Sequence, residues 1–284
     1  MKFTKLQATG NDFILIYSED ECNWSALAKN VCDRHFGVGA DGLIVLTPSM
    51  VADLDMRLFN KDGSEAEVCG NGIRCVARYA IDRGLVLRSE LSIETPGGLK
   101  TVHIQGDVFQ VDMGKPTFKA EQIPVNIAGD VDKILDYPVV IKGKSLPLTC
   151  LSMGNPHAVC FIEQPVARFP LSEIGPLIEN HGLFPNRANF EVANVLGPQR
   201  ITARVWERGV GETLSCGSGA CAVAVAARLH KWMADETNVI LPGGTLTIGW
   251  DGVGEVKLRG PAELVFHGEW PIRREQKSGL KDRR

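Results

Sequence analysis

The chain is short of the features that most quickly betray a protein's role. No stretch approaches the ~18 consecutive apolar residues of a membrane-spanning helix. The opening segment, MKFTKLQATGNDFILIYSED, has an apolar run of only five residues, too short for the core of a secretion signal. Neither charge dominates: 31 Lys and Arg stand against 34 Asp and Glu, a formal net charge of -3. No global basic field therefore argues for nucleic acid or an anionic membrane as partner. Only the tail after Trp270, PIRREQKSGLKDRR, leans basic, and it reads as a solvated terminus. No C-x2-C pair occurs among the eight cysteines; the close pairs Cys69/Cys75 and Cys216/Cys221 lack a matching histidine set, which argues against zinc. A disulfide scaffold is equally unsuited to a 284-residue chain with no export signal. The expectation is a cytoplasmic protein with reduced thiols and no metal.

What the chain does have is a repeat of itself. GNDFILI at Gly10 resembles GNPHAVC at Gly154, and RLFNKDGSEAEVCGNG from Arg57 resembles RVWERGVGETLSCGSG from Arg204. SIETPGGLKTV likewise resembles NVILPGGTLTI. Arg57/Arg204, Glu65/Glu212, Cys69/Cys216, Gly70/Gly217 and Gly72/Gly219 keep one spacing within their block. Blocks in the same order at nearly one offset indicate an internal duplication. Each half reads as strands (FILIY, DMRLFN; HAVCFI, TARVWE), then a glycine turn, a helix, and two strands around a Pro-Gly-Gly turn. The helices are expected over 70–83 and 217–232, the first stopped by Gly84. The fold class is thus α/β (α+β): two pseudo-symmetric domains, each a strand-rich barrel-like sheet around a central helix, with the active site in the cleft between them. The expected boundaries are 1–115, with 264–284 returning to it, and 116–263, with Gly114-Lys115-Pro116 as the crossover.

Cys22, Cys32, Cys75, Cys150, Cys160 and Cys221 lie in apolar segments or inside the helices and read as core. Cys69 and Cys216 each precede a glycine turn that opens a helix. At that position unpaired amides and the helix dipole favour a thiolate and can also hold a carboxylate. Two opposed thiols, one ionised and one protonated, suit inversion of a stereocentre, which needs a base on one face of the carbon and an acid on the other. Such a pair would titrate together and give a bell-shaped rate profile. Two glycine patterns, GVGADG and GSGACA, mimic a dinucleotide fingerprint, but neither has the required strand, helix and later acidic residue. A nonenzymatic thiol switch or metal-binding module is the reading from another class.

DGSEAEVCGNGIRC, GNPHAV, FPNRANFEV and ERGVGETLSCGSGAC closely resemble the signatures of the diaminopimelate epimerase family, and TGNDF and GADGL fit as well. The likeness runs from about Lys2 to His267. It implies a cofactor-independent isomerase that interconverts LL- and meso-2,6-diaminopimelate on the way to lysine and peptidoglycan precursors, acting as a homodimer on a small-molecule substrate. By matched motif, Cys69 and Cys216 would be the acid–base pair. Gly70, Asn71, Gly217 and Ser218 would face the reacting carboxylate, Glu207 the ammonium, and Asn11 would line the site. Asn60, Asn155, Asn189 and Arg208 would grip the distal end, and His157 would support the site beside Cys69. Proline racemases and hydroxyproline epimerases resemble the chain less, since their first cysteine turn typically carries histidine where this chain has Asn71. Some diaminopimelate epimerases place a glutamine ligand where this chain has Gly42.

Overall fold

A computed structural model describes residues 1–66, 69–127, 129 and 131–271. The chain divides into two compact units, one comprising residues 1–111 together with the described residues from 260 onward, the other residues 112–259.

In the first unit the elements are β1 (Lys2–Ala8), β2 (Asn11–Tyr17), α1 (Trp24–Val31), β3 (Gly42–Thr47), β4 (Leu54–Asn60), β5 (Glu65–Ala66), α2 (Gly70–Asp82), β6 (Glu90–Glu94), β7 (Lys100–Gln105) and β8 (Val108–Asp112). The second runs β9 (Ile134–Ile141), β10 (Lys144–Ser152), β11 (Pro156–Phe161), α3 (Leu171–Glu179), β12 (Asn189–Gly197), β13 (Arg200–Glu207), β14 (Gly211–Thr213), α4 (Gly217–Leu229), β15 (Glu236–Leu241), β16 (Gly244–Gly249) and β17 (Lys257–Pro261). A last strand, β18 (Glu263–Glu269), returns to the first unit and pairs antiparallel with β1.

The strand order repeats. The first unit pairs β18-β1-β2-β3-β4-β6-β7-β8, with β5 hung on β4. The second pairs β9-β10-β11-β12-β13-β15-β16-β17, with β14 hung on β13. In both orders the third and fourth strands are parallel, as are the fifth and sixth; the other neighbours are antiparallel. A parallel pair needs a crossover, and α1, α2, α3 and α4 supply them.

Helices α2 and α4 lie inside their sheets. Helix α4, GSGACAVAVAARL, is buried along almost its whole length, as its small apolar side chains allow, and packs against β10, β11, β12, β13, β15 and β16. Helix α2 touches β1, β2, β7 and β18, strands from both ends of its sheet's order, so the sheet curves around it. Its one fully buried charge, Arg74, is satisfied by Pro261 O, Gly70 O and Thr9 Oγ1. Helix α2 stops with Gly84 in the left-handed conformation at φ 66°. Helix α4 is shorter than its sequence suggests: it ends at Leu229, and Lys231 turns out of the helix at φ 63°, leaving Trp232 to stack on His230.

Candidate active site

Each long helix begins at a cysteine. Cys69 and Cys216 are the N-caps of α2 and α4, both extended (φ -139° and -121°, ψ 111° and 117°), and each Sγ accepts from the backbone N–H three residues on, Gly72 N and Gly219 N, both at 3.4 Å. A thiol thus takes the place that serine or aspartate usually fills. The glycine at that third position permits close packing beneath the sulfur: a Cβ on Gly72 would sit 3.1 Å from Met56, and one on Gly219 3.0 Å from Glu191 Oε1. The next amides, at Gly70, Asn71, Gly217 and Ser218, are the first of their helices and so lack intrahelical partners. Upstream, the ion pairs Arg57–Glu65 (2.7 Å) and Arg204–Glu212 (2.8 Å) brace the strand leading to each turn.

Around Cys69 the first unit gathers Asn11 and Asn71. Asn11 Oδ1 accepts from Asn71 Nδ2 at 3.1 Å and from the Cys69 thiol at 3.8 Å. Asn11 sits just after the two-residue β1–β2 turn, where Thr9 (φ 51°) and Gly10 (φ 84°) both adopt left-handed backbone, so the tight hairpin aims it. Asn60 ends β4 and donates to Ser64 Oγ at 3.0 Å. Gly42 leaves no room for the glutamine of some relatives, because a Cβ there would lie 2.9 Å from Phe59 O.

Around Cys216 the second unit gathers a different chemistry. Ser218 Oγ lies 3.5 Å from Cys216 Sγ, and Glu207 accepts from Thr213 Oγ1 at 2.5 Å while also hydrogen-bonding the Cys216 thiol. Burial raises the Glu207 carboxyl above its ordinary value, with the hydrogen bonds from Thr213 and Cys216 opposing. Burial also pushes the Cys216 thiol well up, and the charge of Glu207 adds to the rise. The helix-start position therefore does not make Cys216 a resting thiolate: desolvation outweighs the lowering by Ser218 and the Gly219 amide. The arrangement is a protonated thiol hydrogen-bonded to a buried carboxylate.

His157 belongs to this same unit and is fully buried. Its Nδ1 lies 2.7 Å from Glu191 Oε1 and its Nε2 2.8 Å from Asn155 Oδ1. Burial raises the Glu191 carboxyl, and the charge and hydrogen bond of His157 pull it back. Asn189 works as a clasp: it donates to Pro156 O at 3.0 Å and accepts from Arg208 N at 2.9 Å, holding the turn after β13. Glu179 grips the same turn, accepting from Gly209 N at 2.8 Å and from the Trp206 indole at 2.7 Å. Arg208 itself is exposed, its guanidinium donating to Asn186 O at 3.2 Å.

Several residues of these networks were not among the sequence candidates, among them Glu191, Glu179 and Asp41, whose carboxylate receives the Asn11 amide at 2.7 Å. Glu191 left a trace, being the one charge in the mostly apolar segment FEVANV. Asp41 lay in plain view in GADGL, but nothing in the sequence tied it to Asn11, thirty residues away. Among the described residues, no group of three His, Cys, Asp or Glu side chains is placed to hold a metal ion, and no helix is long and apolar enough to cross a membrane.

Similarity to known proteins agrees with this arrangement. The family model for diaminopimelate epimerase matches residues 3–119 and 149–265. A diaminopimelate epimerase of Acetivibrio thermocellus is 47% identical over 277 residues, covering 95% of this chain and 98% of its own. Among solved structures, a Bacillus anthracis phenazine biosynthesis protein of the PhzF family superimposes with a TM-score of 0.70 at 20% identity, covering 96% of this chain and 99% of that one. A hydroxyproline epimerase from Agrobacterium vitis gives 0.68 at 13% identity, covering 94% and 91%. These two distant structures share the fold. The family model and the full-length relative decide the identity: the chain belongs to the diaminopimelate epimerase family.

Proposed function

We propose that the chain interconverts LL- and meso-2,6-diaminopimelate by removing the α-proton from one face of the carbon and returning a proton to the other, with Cys69 and Cys216 as the two carriers. The observation that carries this reading is the repetition of one device: a cysteine capping a helix at the same backbone conformation, with its sulfur held by an amide three residues on, in both halves of a family member. Inversion requires two such groups, and a simple hydrolase or transferase would need only one. Glu207, whose carboxyl also takes a hydrogen bond from the Cys216 thiol, would hold the ammonium at the reacting end. The helix-start amides at Gly70, Asn71, Gly217 and Ser218 would face the carboxylate at the reacting end and disperse the charge that builds on deprotonation. At the distal end Arg208 suits a carboxylate, while Asn60, Asn155 and Asn189 would contribute donors and acceptors. In the cell this reaction would serve lysine and peptidoglycan precursor synthesis in the cytoplasm, and we propose a homodimer as the working form.

The test is incubation of the reduced protein with LL-diaminopimelate in deuterium oxide, with chirality and mass followed together. Meso product carrying deuterium at the inverted carbon is expected, with a loss of about 10²–10⁴-fold or more in Cys69→Ala and in Cys216→Ala. Exchange with proline or hydroxyproline but not with diaminopimelate would overturn the substrate, and turnover that survives either substitution would overturn the two-thiol mechanism.

A further inference from the structure

We propose that Asp41 is a positioning residue for Cys69: its carboxylate fixes the Asn11 side-chain amide so that the carbonyl oxygen, and not the NH2 group, faces the thiol. The inference rests on Cys69 being a proton carrier.

A carboxylate can only accept, so the side-chain nitrogen of Asn11 must be the atom that meets Asp41 Oδ2 at 2.7 Å. That contact settles which end of the amide is which. The opposite end, Oδ1, then lies 3.8 Å from Cys69 Sγ, with Asn71 Nδ2 donating to the same oxygen at 3.1 Å. Asp41 is itself held from several sides. Its Oδ2 also accepts from Asp12 N at 3.1 Å, its Oδ1 accepts from Arg34 Nη2 at 2.8 Å, and its own N–H donates to Asp12 Oδ1 at 3.2 Å. Arg34 makes two further bonds to Asp12, at 3.1 and 2.7 Å, and Lys5 pairs with Asp12 at 2.6 Å. The carboxylate is thus a fixed post against which the Asn11 amide is set.

The orientation matters to the thiol. A carbonyl oxygen can receive S–H but offers nothing to S⁻, so it favours the protonated sulfur; an NH2 group in its place would favour the thiolate. The second half sets its counterpart the other way. Asn155 follows the glycine matched to Gly10, and there it is Oδ1 that turns inward, onto His157 Nε2 at 2.8 Å. Matched asparagines are therefore secured by opposite ends, one by a carboxylate and one by an imidazole.

Alkylation by iodoacetamide reads the thiolate and needs no substrate. The full-length, reduced protein is treated near neutral pH, and modification of Cys69 and Cys216 is followed separately by peptide mass spectrometry. In Asp41→Ala the Asn11 amide is released to rotate, and Cys69 is expected to react about tenfold faster, the equivalent of one unit in its ionisation, while Cys216 keeps its rate. Asp41→Asn keeps an oxygen for the Asn11 amide to bond and is expected to restore the slow rate, although it removes the same charge. Equal rates for Asp41→Ala and the unmodified protein would overturn the proposal; so would an Asp41→Asn variant as fast as Asp41→Ala, which would make charge the cause. Asp12 keeps Arg34 and Lys5 paired in these variants. Should Asp41→Ala still fail to fold, Asn11→Ala gives the same reading, since it removes the facing oxygen and is expected to speed Cys69 alone. An unchanged rate there would also overturn the proposal. Failure to epimerise diaminopimelate would sink the reaction and leave these rates to be judged on their own.

Discussion

The two halves share a strand order, a capping cysteine and a bracing ion pair, yet they fill the space under the cysteine turn with opposite materials. In the first half, Phe13 pairs with Gly42 and Leu15 with Ile44 across the parallel β2–β3 ladder, and Ile44 packs 3.4 Å from where a Cβ on Gly72 would be. In the second, His157 pairs with Asn189 and Val159 with Glu191, and Glu191 takes the place of Ile44 beneath Gly219. The fold stands with apolar residues at these positions, so it does not require the buried histidine and glutamate. A polar pair with no exposure is costly to bury, and its retention in only one half points to work done in that half. His157 and Glu191 hold Asn155 and lie within electrostatic reach of Glu207. Under the cysteine turn one copy of the duplicated unit kept apolar packing, with an ionic network gathered around Asp12, Asp41 and Arg34; the other placed a buried polar pair there.

The sharpest way to break that comparison is to write the first half's residues into the second. Glu191→Ile alone strands His157 without its partner and is expected to cost about 3–5 kcal/mol in chemical denaturation. His157→Phe combined with Glu191→Ile is expected to recover most or all of that loss while leaving epimerisation severely impaired. A double variant no more stable than the single one would mean that the halves are not interchangeable at this level. The reverse exchange has a smaller expected effect. Gly42→Asn gives the first half the residue that stands at 189, but its Cβ would meet Phe59 O at 2.9 Å, and a loss of about 1–3 kcal/mol is expected from overpacking. A neutral outcome in thermal or urea unfolding would show that β3 and β4 can part at no cost.

The smallest effect concerns pH, and the halves differ in its sign. Burial disfavours the Asp12 carboxylate, but hydrogen bonds from Arg34 and Lys5 prevail and lower it from 3.8 to about 2. A depressed carboxyl stabilises the folded chain above its unfolded value, and that contribution is lost as pH falls towards 2. Glu207 and Glu191 are raised; their contribution is present below the ordinary glutamate value and is lost as pH rises through the raised one. Asp12→Asn is therefore expected to flatten the acid side of the stability curve by about 1–2 kcal/mol, after allowance for solvent screening at the exposed Arg34. Its alkaline side should be unchanged; a variant that flattens the alkaline side would reverse the assignment.

Much of this was legible in the sequence because duplication printed it twice. The matched Cys69 and Cys216, the glycines behind them and the Arg–Glu braces all recur at one spacing, and local rules for helix starts were enough to place both cysteines at the head of a helix. Helix α2 ended beside its glycine as expected, whereas α4 has no glycine after Leu229, and the alternating apolar letters ran on through Trp232. What could not be read was whatever depends on strands meeting in register. Glu191 reaches His157 only because β11 and β12 lie parallel, and Asp41 reaches Asn11 only because the loop before β3 returns beside the β1–β2 turn. The ionisation of Cys216 was likewise hidden, since a helix start argues for a thiolate and only the packed surroundings reveal how thoroughly water is excluded.

Strand β18 has a consequence for how the molecule is made. It pairs along the length of β1, and the amino group of Met1 bonds Trp270 O at 2.7 Å. A ribosome delivers the first unit's β1 before any residue of the second unit, and its outer partner β18 only after every residue of the second unit has been added. The second unit is continuous in the chain and can close as soon as it emerges. The first, though begun earlier, must wait with one edge of its sheet uncovered. The unit begun first is thus the last to be completed, and the open edge of β1, on the side away from β2, is what a chaperone, or a neighbouring nascent chain, would meet in the interval.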